Sequence, residues 1–194
     1  MQKLSRDDLF SLEQYAEKRP DFRAQVLAHK QHRKVHVGPV ASLYFEDRMT
    51  MQYQIQEMLR VERIFEADGI NEELDAYNPL IPDGMNWKAT FMIEEPDVGR
   101  RRALLAQLKG IEDRVWVRVD GNEQVFAVAD EDMERDNEEK TSAVHFLRFE
   151  LTEKMISDLK QGAELGIGIS HRDYDHAREP VSGETRQALL ADLD

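Results

Sequence analysis

The sequence contains no cysteine, which excludes disulfide bonds, thiolate nucleophiles and cysteine-ligated zinc or iron–sulfur clusters. It also lacks any long uncharged apolar run, and Met1–Asp8 includes no apolar stretch of signal-peptide length. We therefore expect a cytoplasmic protein whose metal ligands, where it has them, are histidine and carboxylate. The formal net charge of -13 disfavours binding to nucleic acid or to an anionic membrane, because both require an excess of basic side chains.

The chain has enough apolar material for a compact core. Its 194 residues are 41% hydrophobic and 34% charged, and a chain of this size buries roughly 70% of its unfolded surface in a single core. We predict one domain over residues 1–194. Within it, residues 1–67 form a mainly helical N-terminal portion that packs on a sheet portion over residues 87–171.

Capping signals and prolines divide the N-terminal portion into predicted helices. Ser5 followed by Asp8 resembles a capping box, and Pro20 is expected to end the first helix and open a second one that runs towards His32. No glycine or proline occurs between Asp47 and Phe65, so this segment is predicted to be the longest helix. Its apolar residues share one arc of a helical wheel: Met51, Ile55, Met58, Leu59 and Phe65.

The second half of the chain shows strand patterns separated by helical segments. Trp87–Ile93 alternates apolar and polar residues, and Asp120–Gly121 is typical of a hairpin turn. Residues 35–45 are predicted to form a small hairpin or two extended segments around Gly38–Pro39. Strands are predicted at residues 87–93, 115–119, 125–128, 144–151 and 165–169. Because a helical connection returns the chain to the same end of a sheet, we expect parallel strands within each strand–helix–strand unit. The predicted fold is α+β, with a mixed, mainly antiparallel five-stranded sheet and helices on one face. The charged run Asp130–Lys140 is interpreted as a mobile excursion or a short solvated helix.

A carboxylate inside the apolar arc of the longest predicted helix is the first candidate for chemistry. Glu62 falls in that arc, with Arg48 near the same face. If Glu62 is buried alone, its raised pKa makes it a plausible acid, base or metal ligand; if it is paired with arginine, its role is structural. The pattern favours structural pairing.

The histidines form two further candidate groups. His29, His32 and His36 are spaced by three and four residues, which places them together only if their helix continues far enough, so a surface position is favoured over a metal site. His145 and His171 are in phase with the apolar faces of two strands. As one begins its strand and the other ends its own, a parallel pair would hold them about 20 Å apart, too far to share a metal.

Six strings of residues together carry a family resemblance: Leu43–Arg48, Met51–Gln54, Asn78–Gly84, Asn86–Phe91, Gly110–Asp113 and Val144–Phe149. With them the chain resembles an uncharacterised bacterial family, domain of unknown function 3501. The resemblance covers nearly the whole chain, implies a bacterial source and suggests a redox or oxidative-stress setting, but it brings no catalytic residues.

The leading hypothesis is an accessory module that binds a protein partner or a small ligand. Its proposed contact surface is the proline-stiffened loop Asn78–Trp87, which offers apolar side chains at a low cost in conformational entropy. The candidate binding residues are Leu80, Ile81, Trp87, Arg48, Glu62, His145 and His171.

The alternative is a metal-dependent enzyme or metal-binding protein that uses Glu57, Glu62, His29 and His32. The identity of any cofactor is left open. A homodimer, formed through an uncovered sheet edge or a methionine-rich helix face, is a further hypothesis.

Overall fold

The structure is a computed structural model that describes residues 2–132, 135 and 140–194. The described chain combines helices with two β-sheets, which confirms the predicted α+β fold and its N-terminal helical portion. The α-helices are α1 (Leu12–Gln31), α2 (Arg48–Glu62), α3 (Ala67–Tyr77), α4 (Val98–Gln107), α5 (Glu153–Lys160) and α6 (Gly183–Leu190). Short 3₁₀ turns lie at Arg6–Asp8, Asn78–Leu80 and Glu112–Arg114.

The strands form a five-stranded sheet and a four-stranded sheet, and each neighbouring pair in them is antiparallel. In chain order the strands are β1 (Lys34–Val37), β2 (Ala41–Phe45), β3 (Asn86–Ile93), β4 (Val115–Val119), β5 (Gln124–Phe126), β6 (Val128–Ala129), β7 (Val144–Glu150), β8 (Leu165–His171) and β9 (Tyr174–Val181). The first sheet has the order β1-β2-β3-β7-β6, and the second has the order β5-β4-β8-β9.

One hydrophobic core takes side chains from both sheets. Trp87 and Phe149 contribute from the first sheet, and Val117 and Ile167 from the second, all fully buried. The chain passes directly between the sheets at β5 and β6, because β5 pairs with β4 whereas β6 pairs with β7. A separate apolar cluster joins α2 and α3 to the N-terminal segment through residues such as Leu4 and Ile55.

The predicted parallel crossovers and single sheet are corrected by this arrangement. Helix α4 connects β3 to β4, and helix α5 connects β7 to β8, but in both cases the two strands belong to different sheets. Strand β3 instead pairs antiparallel with β7. Hydrophobic periodicity identifies a strand and its buried face, but carries no information about which strand pairs with it.

The interpretation of Pro20 as a helix boundary was wrong. Pro20 lies inside α1, which at 20 residues is longer than the 15-residue α2 that we expected to be the longest helix. Proline inside a helix costs about 3 kcal/mol through a lost hydrogen bond and a steric clash. Packing on both sides offsets this cost, because Tyr15 before Pro20 and Val26 after it are fully buried. A capping box between Ser11 and Gln14 begins the helix.

Two further segments bear on the sequence predictions. Residues 171–176, which follow the last predicted strand, form the end of β8, the turn and the first residues of β9. Strand β9 shows no alternation because six consecutive residues between its ends are exposed. The predicted excursion Asp130–Lys140 lies partly outside the described residues, at positions 133, 134 and 136–139.

Across residues 2–132, 135 and 140–194, the helices lack the combination of length and hydrophobicity needed to traverse a bilayer.

A tyrosine hydroxyl pins β9 to the turn between β1 and β2, and this contact can be tested. The buried Tyr174 hydroxyl donates to the Val37 carbonyl at 2.7 Å and accepts from the amides of Val40 and Ala41, both at 3.1 Å. Tyr174→Phe should lower the free energy of unfolding by about 2 kcal/mol, since buried backbone groups lose their partner. Urea denaturation measures the change, with Tyr53→Phe as the control. Equal stability of both variants would contradict the assignment.

Candidate functional site

A cleft of about 560 Å³ lies between the end of α3 and the outer face of the first sheet. Its apolar wall comes from α3 and the following 3₁₀ turn, and its floor comes from β3 and β7. The residues that line it are Asp75, Ala76, Tyr77, Pro79, Leu80, Lys88, Glu131, Asp132, Phe146, Leu147 and Arg148.

Strand register places two cationic side chains side by side on the cleft floor. In β3 the side chains of Trp87 and Ala89 enter the core, so Lys88 between them points to the outer face, because successive residues of a strand alternate. Lys88 is directly opposite Arg148 of β7 in the antiparallel ladder. Both side chains therefore emerge at neighbouring positions in the cleft.

Lys88 is half-buried, and its ammonium has no hydrogen-bond or ion-pair partner within the part of the chain that the structure describes. Burial, followed by the neighbouring charge of Arg148, lowers the pKa of Lys88 from its usual value. Glu46, which follows β2, lies next to Lys88 along the backbone, because the Glu46 amide donates to the Lys88 carbonyl at 2.8 Å. The Glu46 carboxyl instead accepts from the Thr90 hydroxyl at 2.6 Å.

Glu131 and Asp132, two of the acidic residues that line the cleft, have arginine partners. Arg148 donates from Nε and Nη2 to Glu131 at 2.8 and 2.9 Å, and from Nη1 to Glu150 at 2.5 Å. Arg135 donates to both carboxylate oxygens of Asp132, at 2.5 and 2.6 Å. These pairs compensate the negative charge on the rim, whereas the charge of Lys88 remains without a direct partner among the described side chains.

The apolar wall is held in place by hydrogen bonds to the N-terminal segment. Asn78 accepts from the Leu4 amide at 2.8 Å and donates to the Leu4 carbonyl at 2.9 Å. Lys3 donates to the carbonyls of Asn78 and Ile81 at 2.7 and 2.8 Å. This bracing fixes the turn that presents Leu80 to the cleft, so the wall is organised before any ligand arrives.

A buried histidine anchors the opposite rim. His145 is fully buried in β7, and its Nδ1 lies 2.5 Å from Asp130 Oδ2. Its Nε2 lies 2.9 Å from the Thr141 hydroxyl and 3.7 Å from Glu112. The other Asp130 oxygen accepts from the Phe146 amide at 2.9 Å. This network closes His145 off from solvent and secures the chain just before Glu131, so its role here is to position the rim.

Of the predicted contact residues on the proline-stiffened loop, only Leu80 lines the cleft. Ile81 is fully buried in the apolar cluster beneath the loop. Trp87 is fully buried in the main core, where its indole N–H donates to the Leu189 carbonyl at 2.9 Å. Ile81 and Trp87 therefore stabilise the fold and are not surface contacts.

Arg48 and Glu62 do not pair with each other. Arg48, in the first turn of α2, lies 2.5 Å from Asp8. Glu62 ends the same helix and is exposed, which corrects its predicted position in a buried arc. The fourteen-residue separation places them at opposite ends of α2, roughly 21 Å apart at the helical rise.

The residues of the metal hypothesis are also distributed over separate contacts. Glu57 accepts two hydrogen bonds from Arg19 and one from Tyr15, and the Arg19 bonds are the main cause that lowers its pKa to about 2. His29 contacts Asp47 at 2.5 Å, and His32 contacts Glu184 at 2.9 Å. In the described residues no three histidine or acidic side chains come close enough to hold a metal ion.

His171 lies at the end of β8, in the second sheet, and is buried. Its Nε2 lies 3.3 Å from the Lys109 carbonyl, and its Nδ1 accepts from the Asp173 amide at 3.2 Å. Since His145 belongs to the first sheet, the two histidines occupy different sheets. His171 supports the β8–β9 turn and does not reach the cleft lining.

Sequence reasoning missed Lys88 and Arg148 as candidate residues. The alternation that predicts β3 already places Lys88 on its polar face, and Arg148 occupies an equivalent position among the apolar residues of β7. What the sequence could not indicate is that β3 pairs with β7, or that the turn after α3 covers these positions.

These features define an α+β protein of two antiparallel sheets with a ligand-sized, partly cationic cleft on one of them. The chain belongs to the family described as protein of unknown function (DUF3501), whose model matches residues 3–193, as the resemblance in the sequence predicts. It is similar to a Burkholderia pseudomallei protein of unknown function whose crystal structure has a TM-score of 0.94, with 52% identity over 100% of both chains. Nothing among the curated proteins matches the chain.

A buried ionic cluster around Arg33 explains the position of His29. Arg33 is 2% exposed and donates to the Phe45 carbonyl at 2.9 Å. Its guanidinium lies between two carboxylates, in direct contact with Asp192 and 3.4 Å from Asp47, and His29 contacts Asp47 from the other side. One arginine therefore serves two buried acids.

This cluster predicts a pH dependence of stability. Burial raises the pKa of Asp192 from 3.8 to about 6, although Arg33 opposes the shift. Because the pKa of Asp192 is higher in the folded protein than in the unfolded chain, protonated Asp192 stabilises the fold below the unfolded pKa. This stabilisation is lost as the pH rises through about 6, and the difference between the two pKa values corresponds to roughly 3 kcal/mol. Asp192→Asn should remove this component, measured by urea unfolding between about pH 4 and about pH 7.

The exposed Asp175→Asn is the matched control and should retain the wild-type pH dependence. An Asp192→Asn protein whose unfolding free energy follows the wild-type curve across this interval would show that Asp192 does not contribute it.

Proposed function

We propose that the protein binds a small organic anion with an apolar body in the cleft, and that Lys88 provides the principal positive charge for it. The observation that carries this proposal is the half-buried Lys88 ammonium, which has no hydrogen-bond or ion-pair partner within the described chain, whereas Glu131 and Asp132 are each paired with an arginine. A partly desolvated cation without a counter-ion is costly. A ligand carboxylate or phosphate would supply the missing charge-assisted hydrogen bond.

The shape of the cleft favours a small molecule over a protein partner. Its volume of about 560 Å³ lies within the range of roughly 300–1,000 Å³ that is typical of small-molecule sites. Tyr77, Leu80 and Phe146 supply apolar and aromatic surface around the charged floor. Because Ile81 and Trp87 are buried, the loop 78–87 offers less apolar surface to a protein than the sequence indicates.

Hydrogen bonds already fix the walls of the cleft, which favours tight binding of a ligand. The Asn78 and Lys3 hydrogen bonds brace one wall, and the His145–Asp130 contact braces the other. Side chains that are already fixed lose little conformational entropy when a ligand binds. The protein as a whole is acidic and Arg148 is paired with Glu131 and Glu150, so the charge of Lys88, and not the net charge, would attract the anion.

The accessory role expected from the sequence becomes more specific in this proposal: a ligand-binding module acting in the cytoplasm. The redox or oxidative-stress setting implied by the family resemblance does not enter it, because the cleft residues bear on the charge and shape of the ligand alone. The metal-binding alternative has less support, since its residues occupy separate contacts.

Matched probes test the role of the charge. Phenylacetate carries an aromatic body and a carboxylate, whereas 2-phenylethanol carries a similar body without charge. In two-dimensional amide NMR titrations, phenylacetate should shift resonances of β3, β7 and the turn at residues 77–80. Lys88→Gln should weaken its binding by about 10- to 100-fold, the value of one lost charge-assisted hydrogen bond of roughly 1.5–3 kcal/mol.

The control variant is Lys109→Gln, which removes an exposed lysine outside the cleft and should bind phenylacetate as the wild type does. Binding of 2-phenylethanol should be weaker and insensitive to Lys88→Gln. If phenylacetate shifts no cleft resonance, or if Lys88→Gln binds it unchanged, the proposal fails.

A further inference from the structure

We infer that Lys88 is an amine nucleophile that forms an imine with a 2-oxo acid or an aldehyde whose apolar group occupies the cleft. This inference rests on the proposed function and specifies its ligand class. It extends the role of Lys88 from a charge that holds an anion to a group that forms a covalent bond with a carbonyl carbon.

The first support is access. The Lys88 side chain lines an open cleft, and its nitrogen is engaged by no hydrogen bond or ion pair from the residues that the structure describes. By contrast, the Lys34 ammonium contacts Glu94, and that of Lys154 contacts Asp158. The nitrogen of Lys88 can therefore approach a bound ligand without first breaking a contact with the protein.

The second support is the environment of the amine. Lysines act as Schiff-base nucleophiles when desolvation or an adjacent cation increases the fraction of neutral amine. Lys88 has both features: it is half-buried, and Arg148 is directly opposite it in the strand ladder. The two effects together lower the Lys88 pKa, in agreement with the geometry.

The third support is a place for the acid group of a 2-oxo acid. A guanidinium has five N–H donors, and Arg148 uses three in its bonds to Glu131 and Glu150. The remaining two are free within the described contacts to receive a carboxylate. A 2-oxo acid carries its carbonyl next to its carboxylate, so one held by Arg148 presents the carbonyl carbon towards the neighbouring lysine.

The step balances without an oxidant or a reductant. The nitrogen lone pair of neutral Lys88 attacks the carbonyl carbon, a C–N bond forms, and the carbonyl π electrons move to oxygen. The nitrogen loses a proton to water in the open cleft, and the oxygen gains protons and leaves as water. The product is a protonated imine, and addition of water reverses the step.

Reductive trapping on the full-length protein tests the inference. Phenylpyruvate is added with cyanoborohydride, which reduces an imine to a stable amine, and peptide mass spectrometry locates the adduct. We expect one adduct per chain, on Lys88. Lys88 should react faster than the exposed Lys109, because the partial burial of Lys88 and the adjacent Arg148 increase its fraction of neutral amine.

Lys88→Arg separates the inference from the proposed function, because arginine keeps the positive charge but does not form the imine. This variant should still bind phenylacetate in the NMR titration and should yield no adduct above the level at Lys109. Adducts spread equally over the lysines, or phenylacetate binding in the wild type without an adduct at Lys88, would overturn the imine while leaving the proposed function intact. Absence of phenylacetate binding in the wild type would overturn the proposed function itself.

Discussion

The pairing of β3 with β2 on one side and β7 on the other is the constraint on which the rest of the molecule depends. It directs Trp87 and Phe149 into the core and leaves Lys88 and Arg148 on the outer face. Because the side-chain period of a strand is two residues, a shift of one position would exchange the two sets completely. The burial of Trp87 thus directs the side chain of Lys88, the next residue, to the outer face.

The part of the fold that local pattern determines was predictable. Alternation identified β3, β4, β7 and β8, and Asp120–Gly121 correctly indicated the β4–β5 hairpin. Which strands pair was not predictable, because sequence spacing does not distinguish a helix that returns the chain to the same sheet from one that leads to the other sheet. Pro20 shows a second limit, since burial of Tyr15 and Val26 in tertiary packing overrides a strong local preference against proline inside a helix.

The candidate site was less predictable than the fold, because it depends on which distant segments of the chain meet. Leu80 was singled out from its proline-stiffened loop and does line the cleft, but Lys88 has the appearance of an ordinary polar-face residue. Lys88 is half-buried because the turn after α3 lies over it, and Asn78 binds this turn to Leu4, a residue 74 positions away in sequence. A contact of that separation leaves no periodic signal in the chain.

Several of the histidines and acids considered in the sequence analysis make contacts that hold parts of the fold together. His145 holds the rim of the cleft through Asp130, and Glu57 joins α2 to α1 through Arg19. Buried polar groups must be satisfied, so clusters of titratable residues arise wherever loops and helix ends are covered. A partly buried polar group without a partner therefore indicates a binding site more clearly than a cluster of polar groups that already bind one another.

The contact between Arg33 and Asp192 spans 159 positions in a chain of 194. Both residues are buried, so the chain segment just after α1 reaches its final environment only when a residue far along the sequence packs against it. We therefore expect this contact to form late in folding, after the sheets that bring the two residues together, because contacts of high sequence separation carry the largest entropic cost of closure.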